Sequence, residues 1–113
     1  MTTTVVSNPP SATVALDGEI DISQCPAIRR FLMAAINRGN VHLAVDMSGV
    51  TFIDASGIGV LVAAANRARA AGGGLSLLAP SRQVQRLLDI LYLDAILPAA
   101  QRSAGRLGAG CAA

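Results

Sequence analysis

The chain has no lysine and no tryptophan, and a single histidine. Its nine basic residues are all arginine. Without lysine there is no phosphate-binding loop of the kind whose lysine reaches the phosphates. The one histidine, His42, precedes Asp46 on an expected strand, and Asp54 stands two residues before Ser56, where a nucleophile elbow needs glycine. A Ser–His–Asp hydrolase is therefore not expected. Gly57 and Gly59 begin a dinucleotide fingerprint, but Val62 occupies the place of its third glycine. The two cysteines, Cys25 and Cys111, are too few and too far apart for a disulfide framework or a zinc site. They read as unrelated thiols, and a regulatory disulfide would need the tail to fold back to the first helix. Neither a cofactor nor a metal is expected, and the chain does not read as an enzyme.

Other shortages bear on partners and location. The arginines are scattered, with no basic run and no interleaved aromatics, which argues against nucleic acid as a partner. No apolar run reaches the ~18 residues of a membrane span; "GIGVLVAAA" stops at Asn66 and Arg67. The opening "MTTTVVSNPP" has neither a charged region nor an apolar core of a signal peptide, so the expected location is the cytoplasm.

What is present suits one small domain. The chain has 113 residues, 52% of them hydrophobic but only 3% aromatic, so Leu, Val, Ile and Ala must fill the core. "TTTVVS" is β-branched and reads as an edge strand, broken by Asn8, Pro9 and Pro10. Alternation over 12–17 predicts a strand ending at Gly18. Ser23 is placed to cap a helix with Pro26 in its first turn and Ile28, Phe31, Leu32, Ala35 and Ile36 on one face. A strand follows over 41–47. Ser48 and Gly49 then read as a turn, with "VTFI" as a short extension. A helix runs from Ser56 to about Ala71, where three glycines stop it. Residues 75–79 read as a buried strand, Ser81 as the cap of a third helix with Val84, Leu87, Leu88 and Leu91 inward, and 95–98 as a last short strand. Strands alternating with helices give an α/β fold, with a domain over 1–98 and an Ala/Gly/Arg-rich tail over 99–113 that is expected to fray.

The stretch "FIDASGIGVLVAAA" (52–65) concentrates the chemistry. Ser56 is a good helix cap, and an acid beside it favours the positive helix end. Yet Gly57 and Gly59 each weaken the first helical turns by roughly 1 kcal/mol, which capping alone does not explain. They would strip side chains from around the Ser56 hydroxyl and leave it open to another protein. Asp17, Glu19, Asp21, Asp46 and Asp54, five of the seven acids, lie at or just past expected strand ends. That acidic edge suits a basic partner, or is simply a solvated loop edge.

"GEID" (18–21) after a strand, followed by "VDMSGVTFIDASGIGVL" (45–61), resembles the bacterial anti-sigma-factor antagonists of the STAS domain family, over about Val5 to Pro98. The resemblance implies a mixed, mostly parallel sheet of four to five strands with helices packed on it. It implies a partner-switching protein: a monomer or weak dimer that binds an anti-sigma factor with serine kinase activity, releases a sigma factor, and is switched off by phosphorylation at Ser56. By the same resemblance Asp21, Asp54, Ser56, Gly57, Ile58 and Leu61 would form the partner contact. Two alternatives belong to the same fold: a soluble subunit of a lipid-transport ATPase complex, and a nucleotide-binding STAS module.

Overall fold

The computed structural model describes residues 2–91, 93 and 96–100. Its elements run β1 (Thr2–Asn8), β2 (Ser11–Ile20), α1 (Cys25–Asn37), β3 (His42–Ile53), α2 (Ala55–Ala70), β4 (Gly74–Leu78), α3 (Arg82–Ile90) and β5 (Ala99–Ala100). The sheet order is β1-β2-β3-β4-β5. Only β1–β2 is antiparallel; the other pairs are parallel.

That order has a consequence for the layers. Each parallel strand lies one place further along the sheet than the last, and right-handed crossovers then place α1 and α2 on the same face. Accordingly α1 packs on β2 and on α2, and α2 packs on β3 and β4. Alternation along the strands supplies the buried face. Ala12, Leu43 and Leu75 align in one row, Val14, Val45 and Leu77 in the next, and all six are buried. Across the pleat, Thr13, Ala44 and Ser76, then Ala15, Asp46 and Leu78, are only half-buried on the uncovered face. From the helical side Leu32, Leu61, Ala64, Ala68 and Leu88 complete the core without measurable exposure above 1%. Among the described residues no helix is long and apolar enough to cross a membrane.

Several expected boundaries move. β2 does not end at Gly18 but passes through it, at φ +83°, to Ile20. β3 does not turn at Ser48–Gly49; it continues for 12 residues to Ile53. The pairing steps from Ala15↔Asp46 to Asp17↔Gly49, and again from Gly18↔Val50 to Glu19↔Phe52, so β3 carries extra residues as bulges. Gly49 is glycine because a Cβ there would lie 2.6 Å from Asp17 Cβ. The turn signal was a bulge signal, as glycine inside a strand often is. Phe31 and Leu91, expected inward, are exposed. The last strand is Ala99–Ala100 rather than 95–98. Within the expected span, Leu97 is fully buried and the Pro98 carbonyl accepts from the Leu77 amide. The tail expected to fray from Ala99 begins with the paired strand Ala99–Ala100, opposite Leu77 and Leu78, and its remainder, 101–113 with Cys111, lies outside the described residues.

Candidate functional site

β2 and β3 stay paired beyond Leu78, the last residue of β4, to Ile20 and Ile53, and the start of α2 rises from that protruding edge. The Asp54 amide donates to the Ile20 carbonyl at 3.2 Å, which ties the end of β3 to the end of β2. Asp54 keeps extended backbone (φ −100°, ψ −178°) while its carbonyl already accepts the first helical bond, from Ile58 at 3.1 Å. Its carboxylate accepts the Gly57 N–H at 3.1 Å. Asp54 is therefore the N-cap of α2, and its charge sits at the positive end of the helix. Ser56, the cap read from sequence, stands in the first turn instead. It is half-buried, and no described residue hydrogen-bonds its hydroxyl.

The two glycines differ. Gly57 is buried, and a Cβ on it would lie 2.6 Å from Ile53 Cγ1 and 2.9 Å from Ile20 Cγ2. Its role is to let α2 start close against the two strand ends, not to bare Ser56. Gly59 is exposed, and a Cβ there would meet nothing within 4 Å. Ile58 and Leu61 are 2% and 1% exposed. Their expected place in a contact surface is corrected: α2 turns both into the core. Of the six expected contact residues, the surface of this edge retains Ser56, Asp54 and Asp21.

Asp21 lies in the loop from β2 to α1. One carboxylate oxygen accepts both the Ser23 N–H at 2.9 Å and the Ser23 O–H at 2.6 Å. The Asp21 amide donates to Gln24 Oε1 at 2.9 Å, and its carbonyl accepts from the Gln24 amide at 3.1 Å. Ser23 thus does not cap α1, as expected from sequence. A charged acceptor two residues upstream captures its hydroxyl as a donor, and Gln24 takes the cap position with no side-chain capping bond. The Ser23 hydroxyl, followed by the Ser23 amide, holds the Asp21 carboxyl below the usual carboxylate range.

Cys25 follows at the start of α1, buried, its thiol donating to the Asp21 carbonyl at 3.3 Å. Burial first, then the negative Asp54 and Asp21 side chains, push this thiol up. It stays protonated and unreactive at neutral pH. The thiol bond to the Asp21 carbonyl and the tie from the Asp54 amide to the Ile20 carbonyl bring the loop after β2 and the start of α2 together at one edge. Glu19 and the exposed apolar Ile22 border it, with Phe52 paired opposite Glu19. Sequence reading missed Ile22 and Phe52 as surface residues; β-branched and aromatic types at strand ends are more often read as core. Asp46 is not part of this edge. It lies on the uncovered sheet face opposite Ala15 and Leu78, its carboxylate accepting the Ser48 amide at 2.9 Å. His42 and Ser56 lie the full length of β3 apart, so they cannot act together.

A sheet with helices packed on one face, whose protruding edge carries a helix start capped by Asp54 beside the Ser56 hydroxyl, has the architecture of a STAS domain. A family model described as "Mlab, STAS domain" matches residues 3–98, and the chain belongs to the STAS domain family. Among curated proteins it is 31% identical over 101 residues to the anti-sigma-B factor antagonist of Bacillus subtilis, covering 89% of this chain and 92% of that one. It is 30% identical over 86 residues to the anti-sigma F factor antagonist of Paenibacillus polymyxa, covering 75% and 74%. Among solved structures, the fold matches the anti-sigma factor antagonist SpoIIAA in its unphosphorylated form with a TM-score of 0.72 at 20% identity, over 92% of this chain and 90% of that one. It matches the phosphorylated form of the Bacillus protein equally well, with a TM-score of 0.73 at 20% identity over 90% and 92%.

Proposed function

We propose that this protein is an anti-sigma factor antagonist that acts by binding rather than by catalysis. Unphosphorylated, it binds an anti-sigma factor with serine kinase activity through the edge formed by Asp21, Asp54 and Ser56, and a sigma factor is released. Phosphorylation of Ser56 ends the binding. The observation that carries this reading is the state of Ser56: a hydroxyl in the first turn of a helix whose capping duty is already taken by Asp54.

The physics of the switch follows from that placement. A phosphate adds about −1.5 to −2 charge and three acceptor oxygens. The free amides of a helix start tolerate that charge within the protein itself, although the Asp54 carboxylate repels it. A partner that has covered and desolvated the hydroxyl does not tolerate it, because a buried unpaired charge costs several kcal/mol. The names of the curated relatives support the antagonist role, and the match of this chain to SpoIIAA in both phosphorylation states fits a switch that acts at the surface without refolding the domain. The test is to incubate the protein with the purified anti-sigma factor of its host cell and ATP, then locate the added phosphate by mass spectrometry. A single phosphate on Ser56, absent from Ser56→Ala, is the expected result. Transfer elsewhere, or none, would remove Ser56 from the mechanism.

A further inference from the structure

β1 is an undefended edge strand. It ends the sheet, so among the described residues no strand lies beside its outer row of backbone N–H and C=O groups. Proteins blunt such edges with charge, proline, bulges, short length or a covering element. β1 (TTTVVSN) has seven residues, no charge and no proline, and it pairs with β2 without a register shift. The nearest helix, α1, packs on β2 and α2 instead. Between β1 and α1 lies a cleft of about 290 Å³, lined by Val5 and Ser7 of the strand, by Phe31, Ala34 and Arg38 of the helix and its cap, and by Asn40. Ala34 and Arg38 follow Phe31 by three and seven residues, so all three share one helix face.

The cleft is apolar and cationic in turn. Phe31 is exposed and Val5 only half-buried, so apolar surface lies open beneath the strand edge. Further along, the Ser7 hydroxyl donates to Asn40 Oδ1 at 3.0 Å, beside Arg38. Neither β1 nor α1 contains an acid, and no described residue hydrogen-bonds the Arg38 guanidinium. Ser7 pairs with Ala12 near the start of β2, and Asn40 precedes β3, so the cleft lies the length of β3 from Ser56.

We propose that the outer edge of β1 and the cleft beneath it bind an extended, acid-bearing segment of another protein, which adds to the sheet as a further strand. Backbone hydrogen bonds supply the affinity, and alternate side chains supply the choice. One apolar side chain of the segment covers Val5 and Phe31, and an acid two residues away, on the same face, meets Arg38. A second copy of this chain fits the strand edge but not the charge. Two-fold pairing of β1 with β1 would set two α1 helices side by side, each bearing Arg29, Arg30 and Arg38 with no acid between them.

The test titrates the full chain with a blocked heptapeptide of β-branched residues in which a leucine and a glutamate stand two apart, and with the same peptide carrying glutamine for glutamate. The readout is backbone amide exchange by NMR. At saturation the glutamate peptide should slow exchange at least about tenfold at alternate β1 amides, those facing away from β2. Arg38→Gln, a change at an exposed residue, should weaken the glutamate peptide at least about threefold at low salt and leave the glutamine peptide within about twofold. No protection along β1, or an equal loss of both peptides in Arg38→Gln, would overturn the proposal. Protection of the same amides that grows with protein concentration in the absence of peptide would assign the edge to a second copy and overturn it as well.

Discussion

The starts of α1 and α2 lie side by side at one edge of the sheet and are built in opposite ways. At α2 the cap is a side chain: the Asp54 carboxylate holds the Gly57 amide while its own amide is anchored to β2. At α1 the cap residue Gln24 contributes no side-chain bond to the helix, and the preceding loop closes on itself through Asp21, Ser23 and Gln24. The buried glycine of α2 presses against two strand ends, whereas the loop before α1 stands in solvent with Ile22 72% exposed. The difference teaches how a surface can be both firm and adaptable. A rigid helix start presents Ser56 in a fixed position, and a solvated loop beside it supplies charge and apolar contact.

The sharpest stability contrast lies within α2. Gly57→Ala should cost about 1–3 kcal/mol, because overpacking against Ile53 and Ile20 outweighs the gain in helix propensity. Thermal melting should register a fall of about 5–15 °C. An unchanged melting temperature would mean that the α2 start is not pressed against the strands at all.

Asp54→Ala should come next, costing about 0.5–2 kcal/mol as other N-cap losses do. Denaturant unfolding measures it, and Asp54→Asn, which keeps the capping oxygen, should recover most of the loss. Ser56→Ala should change stability by less than about 0.5 kcal/mol, as for surface residues without a structural bond. This reverses the larger cost expected if Ser56 were the cap. A Ser56→Ala loss matching that of Asp54→Ala would restore Ser56 as the cap.

The loop before α1 should show the smallest stability effect, and it should depend on pH. The Asp21 carboxyl is held below its ordinary value, so the stability it contributes is present above the ordinary carboxylate range and is lost as pH falls through its lowered folded value. The difference between wild type and Asp21→Asn should therefore shrink toward zero on acidification, as read by melting temperature from neutral pH to about pH 2. For binding, Asp21→Asn should weaken the complex about tenfold at low salt and less at high salt, as expected for a charge at an interface rim. A salt-independent loss would assign Asp21 a purely structural part.

Much of the fold was legible because the strands alternate. The row of Val14, Val45 and Leu77 is visible as period-2 patterning before any coordinates are known. The protruding edge was not. Ser48–Gly49 carries the residues of a turn, and only pairing with Asp17 shows that the chain runs on as a bulged strand. The cap of α2 was read as Ser56 and is Asp54: both residue types cap well and stand two apart, and the extended backbone of Asp54, tied to Ile20, starts the helix earlier. Ile58 and Leu61 were expected at the contact surface from the family resemblance alone, and periodicity could not check it, because α2 is apolar nearly all round from Ile58 to Ala65. The two glycines look alike in sequence. Their separate roles depend on what faces the missing Cβ, which only the packing reveals.

The switch at Ser56 is tested most directly by titrating wild type, Ser56→Ala and Ser56→Glu against the purified anti-sigma factor, with folding checked by circular dichroism. Ser56→Ala should bind within about threefold of the wild type, since the site stays small and neutral. Ser56→Glu should keep the fold and bind about 30- to 5,000-fold more weakly, the equivalent of ~2–5 kcal/mol for an unpaired carboxylate in the interface. A folded Ser56→Glu protein that binds as tightly as the wild type would contradict the switch.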